Sequence, residues 1–280
     1  TLAIALSHVS STTEYSSTGG SIKRIHAGIG TRNGMVAADM ARAGITGPRA
    51  FLSGSKGFIR TLLQRAPGDK AEDRFALHRH FEISSVWLKA YCACYCTHAY
   101  IDALRPFAPR CADINTIHLK IAPHFNVIVG TANSNAFEPQ NIEHVQFSLP
   151  IQTAFAVLGK GNGYLIHRDY LAGTLDIAPV ITRARGIQIT EAPELQQNYP
   201  GKFVADVTVS FRDGSSEHVF VEDPIGTDKH PMPEHEQDAK FMELTADVLG
   251  RERASQLLAT LRTMDPGMKV TDLTAMYASP

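Results

Sequence analysis

Several residues capable of acid–base or metal chemistry share one short stretch, "VWLKAYCACYCTHAYIDAL", at residues 86–104. Lys89 opens it, three cysteines follow at alternate positions, and His98 and Asp102 close it. Lysine, histidine and aspartate are side chains that transfer protons in enzymes. Thiolates and imidazoles also bind metals. The stretch therefore indicates a metal site, a redox site or one wall of an acid–base site.

The spacing of Cys92, Cys94 and Cys96 argues against zinc. Structural zinc sites usually combine two distant pairs of ligands, each pair two to four residues apart. We predict one helix from about Ser85 to Arg105, ended by the prolines that follow it. That helix would place Cys94 on a different face from the other two cysteines. We therefore expect no metal site, and cysteines that pack as small hydrophobic side chains. A single thiol near a site is the alternative.

Lys89 would lie in the first turn of that helix, beside Trp87 and Tyr91. Burial there would lower the pKa of Lys89 toward a value useful for proton transfer. The alternative is a lysine that packs its alkyl chain at a helix end and keeps its ammonium group in water. His98 and Asp102 are four residues apart, so the carboxylate could orient the imidazole. The alternative for this pair is a hydrogen bond with a structural role only.

A second group of cations lies in "SIKRIHAGIGTRNG", residues 21–34, which places Lys23, Arg24 and His26 just ahead of a predicted helix. Cations and free backbone N–H groups at a helix N-terminus favour a bound anion. A solvated basic turn is the alternative. The stretch lacks the phosphate-loop signature, and we find no nucleophile-elbow, zinc-protease or dinucleotide-binding fingerprint in a plausible setting elsewhere in the chain.

The elements predicted around these residues change along the chain from helical to mixed and back to helical. We expect a buried helix within 31–48, a strand within 115–123, a helix within 145–161, a hairpin over 203–223 and a helix from Pro233 to Gly250. The charged residues 65–74 are predicted to form a surface connection. The expected fold is mostly α with an inserted α+β lid. The all-helical domain uses both chain ends, with boundaries at 1–83, 84–229 and 230–280. A cleft between two such domains is a usual place for a small-molecule site.

The composition excludes several classes of protein. Apolar residues make up 44% of the 280 residues, and 27 Lys and Arg nearly balance 28 Asp and Glu. Without a basic stripe we expect no nucleic-acid partner. Without an apolar run of about 20 residues we expect no membrane span. We therefore expect a cytoplasmic protein with reduced cysteines.

Five segments, in order, resemble the C-terminal part of the MmgE/PrpD superfamily. They are "GGSIKRIHAGIGTRNGMVAADMARAGITGP", "GSKGFI", "LKAYCACYCTHAYIDAL", "VQFSLPIQTAFAVL" and "HPMPEHEQDAKF". The superfamily includes 2-methylcitrate dehydratase, cis-aconitate decarboxylase and iminodisuccinate epimerase. The resemblance implies a helical domain with an inserted lid, a site without metal or cofactor, and a homodimer.

The resemblance also implies roles for individual residues. Lys23 and His26 match a K-x-x-H loop that lines a carboxylate-binding cleft, and Lys89, His98 and Asp102 match the K-x-Y-x-x-C…H-x-x-x-D motif. The candidate residues are Lys89 and His26 for catalysis, Lys23, Arg24 and His98 for substrate binding, and Asp102 for support. Many relatives carry tyrosine where this chain has Ile151, which removes a phenol from that helix.

The expected function is that of a lyase-like enzyme. It would act on a small di- or tricarboxylate by proton transfer α to a carboxylate, with 2-methylcitrate dehydration favoured and decarboxylation or epimerisation as alternatives. Family members also carry a further N-terminal region with part of the site, so a longer native chain is expected. A truncated, non-catalytic remnant is the alternative from another class.

Overall fold

A computed structural model describes residues 1–9, 12–66 and 82–278 and divides the chain into two compact units, Thr1–Ser85 and Val86–Pro280. Helices predominate, and the described residues contain one four-stranded sheet. This agrees with the predicted mostly α fold with a smaller α+β part. The assembly of one helical domain from both chain ends stays a prediction. Most of the predicted surface connection at 65–74 lies outside the described residues.

The first unit is helical. The helices of its described residues are α1 (Leu2–Ala5), α2 (Tyr15–Thr18), α3 (His26–Arg42) and α4 (Phe58–Thr61). Helix α1 packs against α3, with Ile4 and Ala37 buried. The expectation that α3 is buried is wrong for this structure, since Met35 is 66% exposed and Ala37 is the only buried residue in the helix. Its small side chains lie mostly in solvent because α1 covers a single face.

The second unit contains the sheet. Its strands are β1 (Ile114–Ile121), β2 (Ile187–Glu191), β3 (Ala205–Phe211) and β4 (Ser216–Val221), in the order β2-β1-β3-β4. Strands β1 and β2 are parallel, and the other two pairs are antiparallel. The predicted strand and hairpin are both confirmed. Gly214, with φ +88°, supplies the left-handed conformation that the hairpin turn requires.

The described part of this unit also contains nine α-helices. They are α5 (His98–Leu104), α6 (Pro123–Val129), α7 (Ile142–Gln146), α8 (Leu149–Val157), α9 (Tyr164–Leu171), α10 (Ala178–Arg185), α11 (Glu234–Leu249), α12 (Arg251–Arg262) and α13 (Val270–Tyr277). Helix α5 packs on β3, β4 and α8, and Tyr100, Leu119 and Phe155 are fully buried. Helix α11 follows Pro233 and ends at Gly250, as predicted.

The helix predicted within 145–161 is divided into two. Helix α7 ends at Gln146, and α8 begins at Leu149 with Pro150 in its first turn. Proline lacks the N–H that would continue an earlier helix, so a new helix starts there. Ser148 caps α8, because its hydroxyl accepts the N–H of Ile151 at 3.0 Å. Ile151 is fully buried, so its side chain belongs to the core.

The helix predicted over 85–105 is wrong for most of its length. Residues 86–94, here called the extended segment, have no helical structure, and α5 begins only at His98 after one 3-10 turn. Three of its N–H groups donate to carbonyls of distant segments, so they are not available for helical hydrogen bonds. The pairs are Leu88 with Gly226, Cys92 with Asn162 and Cys94 with Gln146, each at 2.9 Å.

None of the helices in the described ranges has the length and apolar character needed to cross a membrane.

Candidate active site

A cavity of about 450 Å³ in the second unit is bounded by the extended segment, the loop after α8, and α11. Its volume suits a small molecule. Three cationic side chains line it, Lys89, Arg105 and Lys240. Two carboxylates, Glu236 and Glu243, lie on the same wall, and Glu243 already accepts the N–H of Leu165 at 2.6 Å. The cationic side chains of the cavity therefore outnumber its carboxylates, three to two.

Lys89 lies in the extended segment rather than in a first helical turn, and its side chain is exposed. The burial expected for Lys89 is therefore wrong for this structure. Its ammonium group donates to the carbonyl of Ala93 at 3.1 Å. Its own carbonyl accepts a hydrogen bond from Lys240 Nζ at 2.6 Å. This hydrogen bond links the two lysines, and both of them line the cavity.

Lys240 is a site candidate that the reasoning from sequence missed. Glu236 and Lys240 are four residues apart on α11, so both side chains lie on one face of the helix. Both line the cavity. The signal was available, since Pro233 marks the helix start and the spacing then fixes the face.

Asp102 does not hold His98. Its carboxylate accepts hydrogen bonds from the Tyr91 hydroxyl and, at 2.7 Å, from the N–H of Ile225. Arg105 Nη1 in turn donates to the Tyr91 oxygen at 2.6 Å. The predicted pairing of His98 with Asp102 is therefore wrong: the described residues show Asp102 bound to Tyr91 instead.

Burial shifts the pKa values of Tyr91 and Asp102. It raises the pKa of Tyr91 well above its usual value, and the negative charge of Asp102 raises it further. Burial also raises the pKa of Asp102, against the opposing effect of the hydrogen bonds from Tyr91 and Ile225. Tyr91 therefore stays a neutral phenol whose proton points to Asp102.

His98 is fully buried and presents no surface to the cavity. Its ring stacks on Tyr95 at 4.6 Å between centroids and lies 5.1 Å from Tyr91. Burial lowers the pKa of His98 to about 3, and the nearby Lys89 charge acts in the same direction. Neither ring nitrogen has a well-formed hydrogen bond within the described part of the chain. Direct substrate binding by His98 does not fit this position.

The low pKa of His98 predicts acid sensitivity of the fold. Between pH 6.5 and about 3 the unfolded chain binds a proton that the folded ring does not, so the free energy of unfolding falls as pH falls. The loss is at most about 1.4 kcal/mol per pH unit from this group. Urea unfolding at pH 7, 6 and 5 measures it. His98→Phe, which keeps the stacked ring, should have a shallower acid slope than the wild type.

His235→Gln, at an exposed histidine, is the matched control and should keep the wild-type slope. Comparing variants also removes the opposite contribution of Asp102, whose raised pKa favours the folded state in acid. Equal slopes for His98→Phe and the wild type would contradict the prediction.

Cys92 and Cys94 lie in the extended segment, and Cys96 lies in the 3-10 turn that follows it. Cys96 is buried, while Cys92 and Cys94 are half-buried. The hydrogen bond between the Cys96 and Cys94 thiols, followed by burial, raises the pKa of Cys96. Cys92 lines the cavity, which fits the alternative of one thiol near a site. No group of three His, Cys, Asp or Glu residues within the described ranges is placed to hold a metal ion.

The other predicted residues lie together in the first unit. Lys23 and Arg24 belong to a 3-10 turn, Ser21–Ile25, and His26 begins α3. The Lys23 ammonium lies 5.8 Å from the centre of the Tyr15 ring, and the His26 ring lies 5.7 Å from it. His26 and Tyr15 line a cavity of about 840 Å³ in this unit.

Comparisons with known proteins match the two parts of the chain to the two domains of one protein family. A family profile described as the MmgE/PrpD C-terminal domain matches residues 91–265, and one described as the MmgE/PrpD N-terminal domain matches residues 1–69. Two curated sequences of cis-aconitate decarboxylase from Aspergillus terreus, one of them from strain NIH 2624 / FGSC A1156, are each 24% identical to the chain over 269 residues. Each match covers 92% of this chain and 54% of the relative. The chain thus spans about half the length of these relatives.

Proposed function

The chain belongs to the MmgE/PrpD family, and on that basis we propose that it acts as a lyase-like enzyme on a small di- or tricarboxylate. The reaction would begin with proton transfer at the carbon α to a carboxylate. The observation that carries the proposal is the cavity lined by both Lys89 and Lys240, at which Lys240 Nζ donates to the main-chain carbonyl of Lys89.

Two cationic side chains at one cavity suit this chemistry. Removing a proton α to a carboxylate places negative charge on that carboxylate, and fixed cations lower the cost of that charge. A lysine at the cavity also supplies a group that exchanges protons with the substrate. We assign proton transfer to Lys89 and electrostatic stabilisation to Lys240.

The remaining assignments rest on the match to the family motifs. Lys23 and Arg24 are proposed to bind substrate carboxylates, and His26 is proposed to transfer a proton. Asp102 supports the site through Tyr91. A reaction without cofactor, a homodimeric assembly and a cytoplasmic location are proposed on the same ground.

The overall reaction is proposed to be dehydration of a 2-methylcitrate-like acid, the commonest assignment in the family. One observation favours a second candidate: both reported relatives are named cis-aconitate decarboxylase. Epimerisation of an iminodisuccinate-like acid is the third candidate, because it begins with the same proton transfer.

A single experiment separates the three. The protein is incubated in deuterated water with 2-methylcitrate, cis-aconitate or iminodisuccinate, and products are followed by NMR. Loss of water gives an alkene, loss of CO2 identifies a decarboxylase, and deuterium at the α carbon without net product identifies an epimerase. Neither product nor deuterium exchange with any of the acids would contradict the proposal and favour a non-catalytic remnant.

A further inference from the structure

Arg105 is the third cation of the cavity. Its one hydrogen bond to the described residues is the one to Tyr91, and no carboxylate in those ranges forms an ion pair with it. A guanidinium group carries five N–H donors in a planar fork that matches a carboxylate. Donors therefore remain for a ligand.

Tyr91 and Asp102 fix the orientation of this guanidinium group. The Tyr91 proton points to Asp102, so the phenol oxygen is left to accept the hydrogen bond from Arg105. Arg105 also lies over the Tyr91 ring, with its central carbon 5.4 Å from the ring centre. The N–H of Ile225 holds the other oxygen of Asp102 at 2.7 Å. Tyr91 is thus a positioning residue, since its hydroxyl proton is already donated to Asp102.

Arg105 also borders a second cavity, of about 530 Å³, which shares Arg105 and Glu236 with the first. Asp102 and His230 line this second cavity. A group bound at Arg105 would therefore lie where the two cavities adjoin, beside the half-buried Glu236. Glu236 has the wrong charge for a carboxylate and would oppose its binding.

We propose that Arg105, oriented by Tyr91 and Asp102, binds one carboxylate of the substrate, and that Glu236 limits the affinity. This rests on the proposed function and deepens it: with Lys89 and Lys240 on the same cavity, the site favours a tricarboxylate over a dicarboxylate. The opposite effects expected at Arg105 and Glu236 separate binding from a general loss of structure.

Calorimetric titration with tricarballylate, a saturated tricarboxylate, tests the proposal. Arg105→Gln should weaken its binding about 10- to 100-fold, the range for a charge-assisted hydrogen bond. Arg105→Lys should recover part of the affinity, since a lysine keeps the charge but not the fork. Glu236→Gln should strengthen binding by about two- to fivefold through the removal of a nearby like charge. Arg212→Gln, at an exposed arginine outside both cavities, should leave it unchanged.

Tyr91→Phe tests the positioning role. As a single substitution it should weaken tricarballylate binding. Added to Arg105→Gln it should have little further effect on the affinity, because the two residues act through one contact. If Arg105→Gln does not fold, the affinities of Arg105→Lys and Glu236→Gln for tricarballylate test the inference instead. Wild-type affinity in both variants would overturn it.

The outcomes distinguish the inference from the proposed function. Tight binding of tricarballylate by both the wild type and Arg105→Gln would overturn the role of Arg105 and leave the function standing. Equal affinity for tricarballylate and succinate in the wild type would overturn the preference for three carboxylates. No binding of either acid to the wild type would overturn both proposals.

Discussion

Replacement of Lys89 by alanine is expected to lower turnover of the polycarboxylate substrate by about two to four orders of magnitude, the usual contribution of an acid–base group. Lys89 lines the cavity, and within the described residues its ammonium group donates only to the carbonyl of Ala93, which leaves donors for a substrate. Steady-state kinetics with the acid identified by NMR measures the effect. Lys160→Ala, at an exposed lysine outside the cavity, should keep normal turnover.

Lys89→Arg distinguishes two roles of this lysine. Arginine keeps the positive charge but does not give up its proton in proteins. If Lys89 transfers the proton, the arginine variant should bind substrate and turn over as poorly as the alanine variant. Near-normal turnover in Lys89→Ala would mean that the lysine is only a solvated cation at the cavity edge.

Replacement of Gly226 by alanine is expected to destabilise the second unit by about 3 kcal/mol or more, since steric overlap adds to backbone strain. Gly226 has φ +100°, and a Cβ there would lie 1.9 Å from the carbonyl oxygen of Leu88. The same glycine accepts the Leu88 N–H, so the overlap acts on the extended segment directly. Urea unfolding measures the loss.

Gly214→Ala is the matched control for this substitution. Gly214 has φ +88° and open space around its Cα, so alanine there carries the conformational cost without the overlap. That cost is about 1–2 kcal/mol. Equal destabilisation by the two substitutions would show that a Cβ at residue 226 does not overlap with the Leu88 carbonyl. Since Lys89 follows Leu88, Gly226→Ala should also reduce turnover.

Local signals in the sequence predict part of this fold. Alternating apolar residues and Asp213-Gly214 identify the hairpin, and Pro233 with Gly250 bounds α11. Helix α11 satisfies its backbone hydrogen bonds within itself, and β3 and β4 pair with each other, although β3 also pairs with the distant β1. Their residue types therefore carry enough information to locate them.

The extended segment could not be predicted in this way. Its apolar and aromatic residues lack a turn signal, so the pattern resembled a helix. Its backbone partners lie far along the chain, at Asn162 and Gly226 among others, and no local pattern encodes them. The wrong helix then gave a wrong partner for Asp102. Lys89 lines the cavity, and its catalytic role stays a prediction. Tyr91 and Arg105 were missed for the same reason.

The three backbone hydrogen bonds of the extended segment have a consequence for hydrogen–deuterium exchange. An amide in a helix exchanges when that helix frays, whereas the amides of Leu88, Cys92 and Cys94 are each held by a carbonyl from a different part of the chain. Exchange at each one therefore requires the wall of the cavity to separate from one particular neighbour. A few consecutive residues could thus act as separate reporters of how the cavity opens along each of its sides.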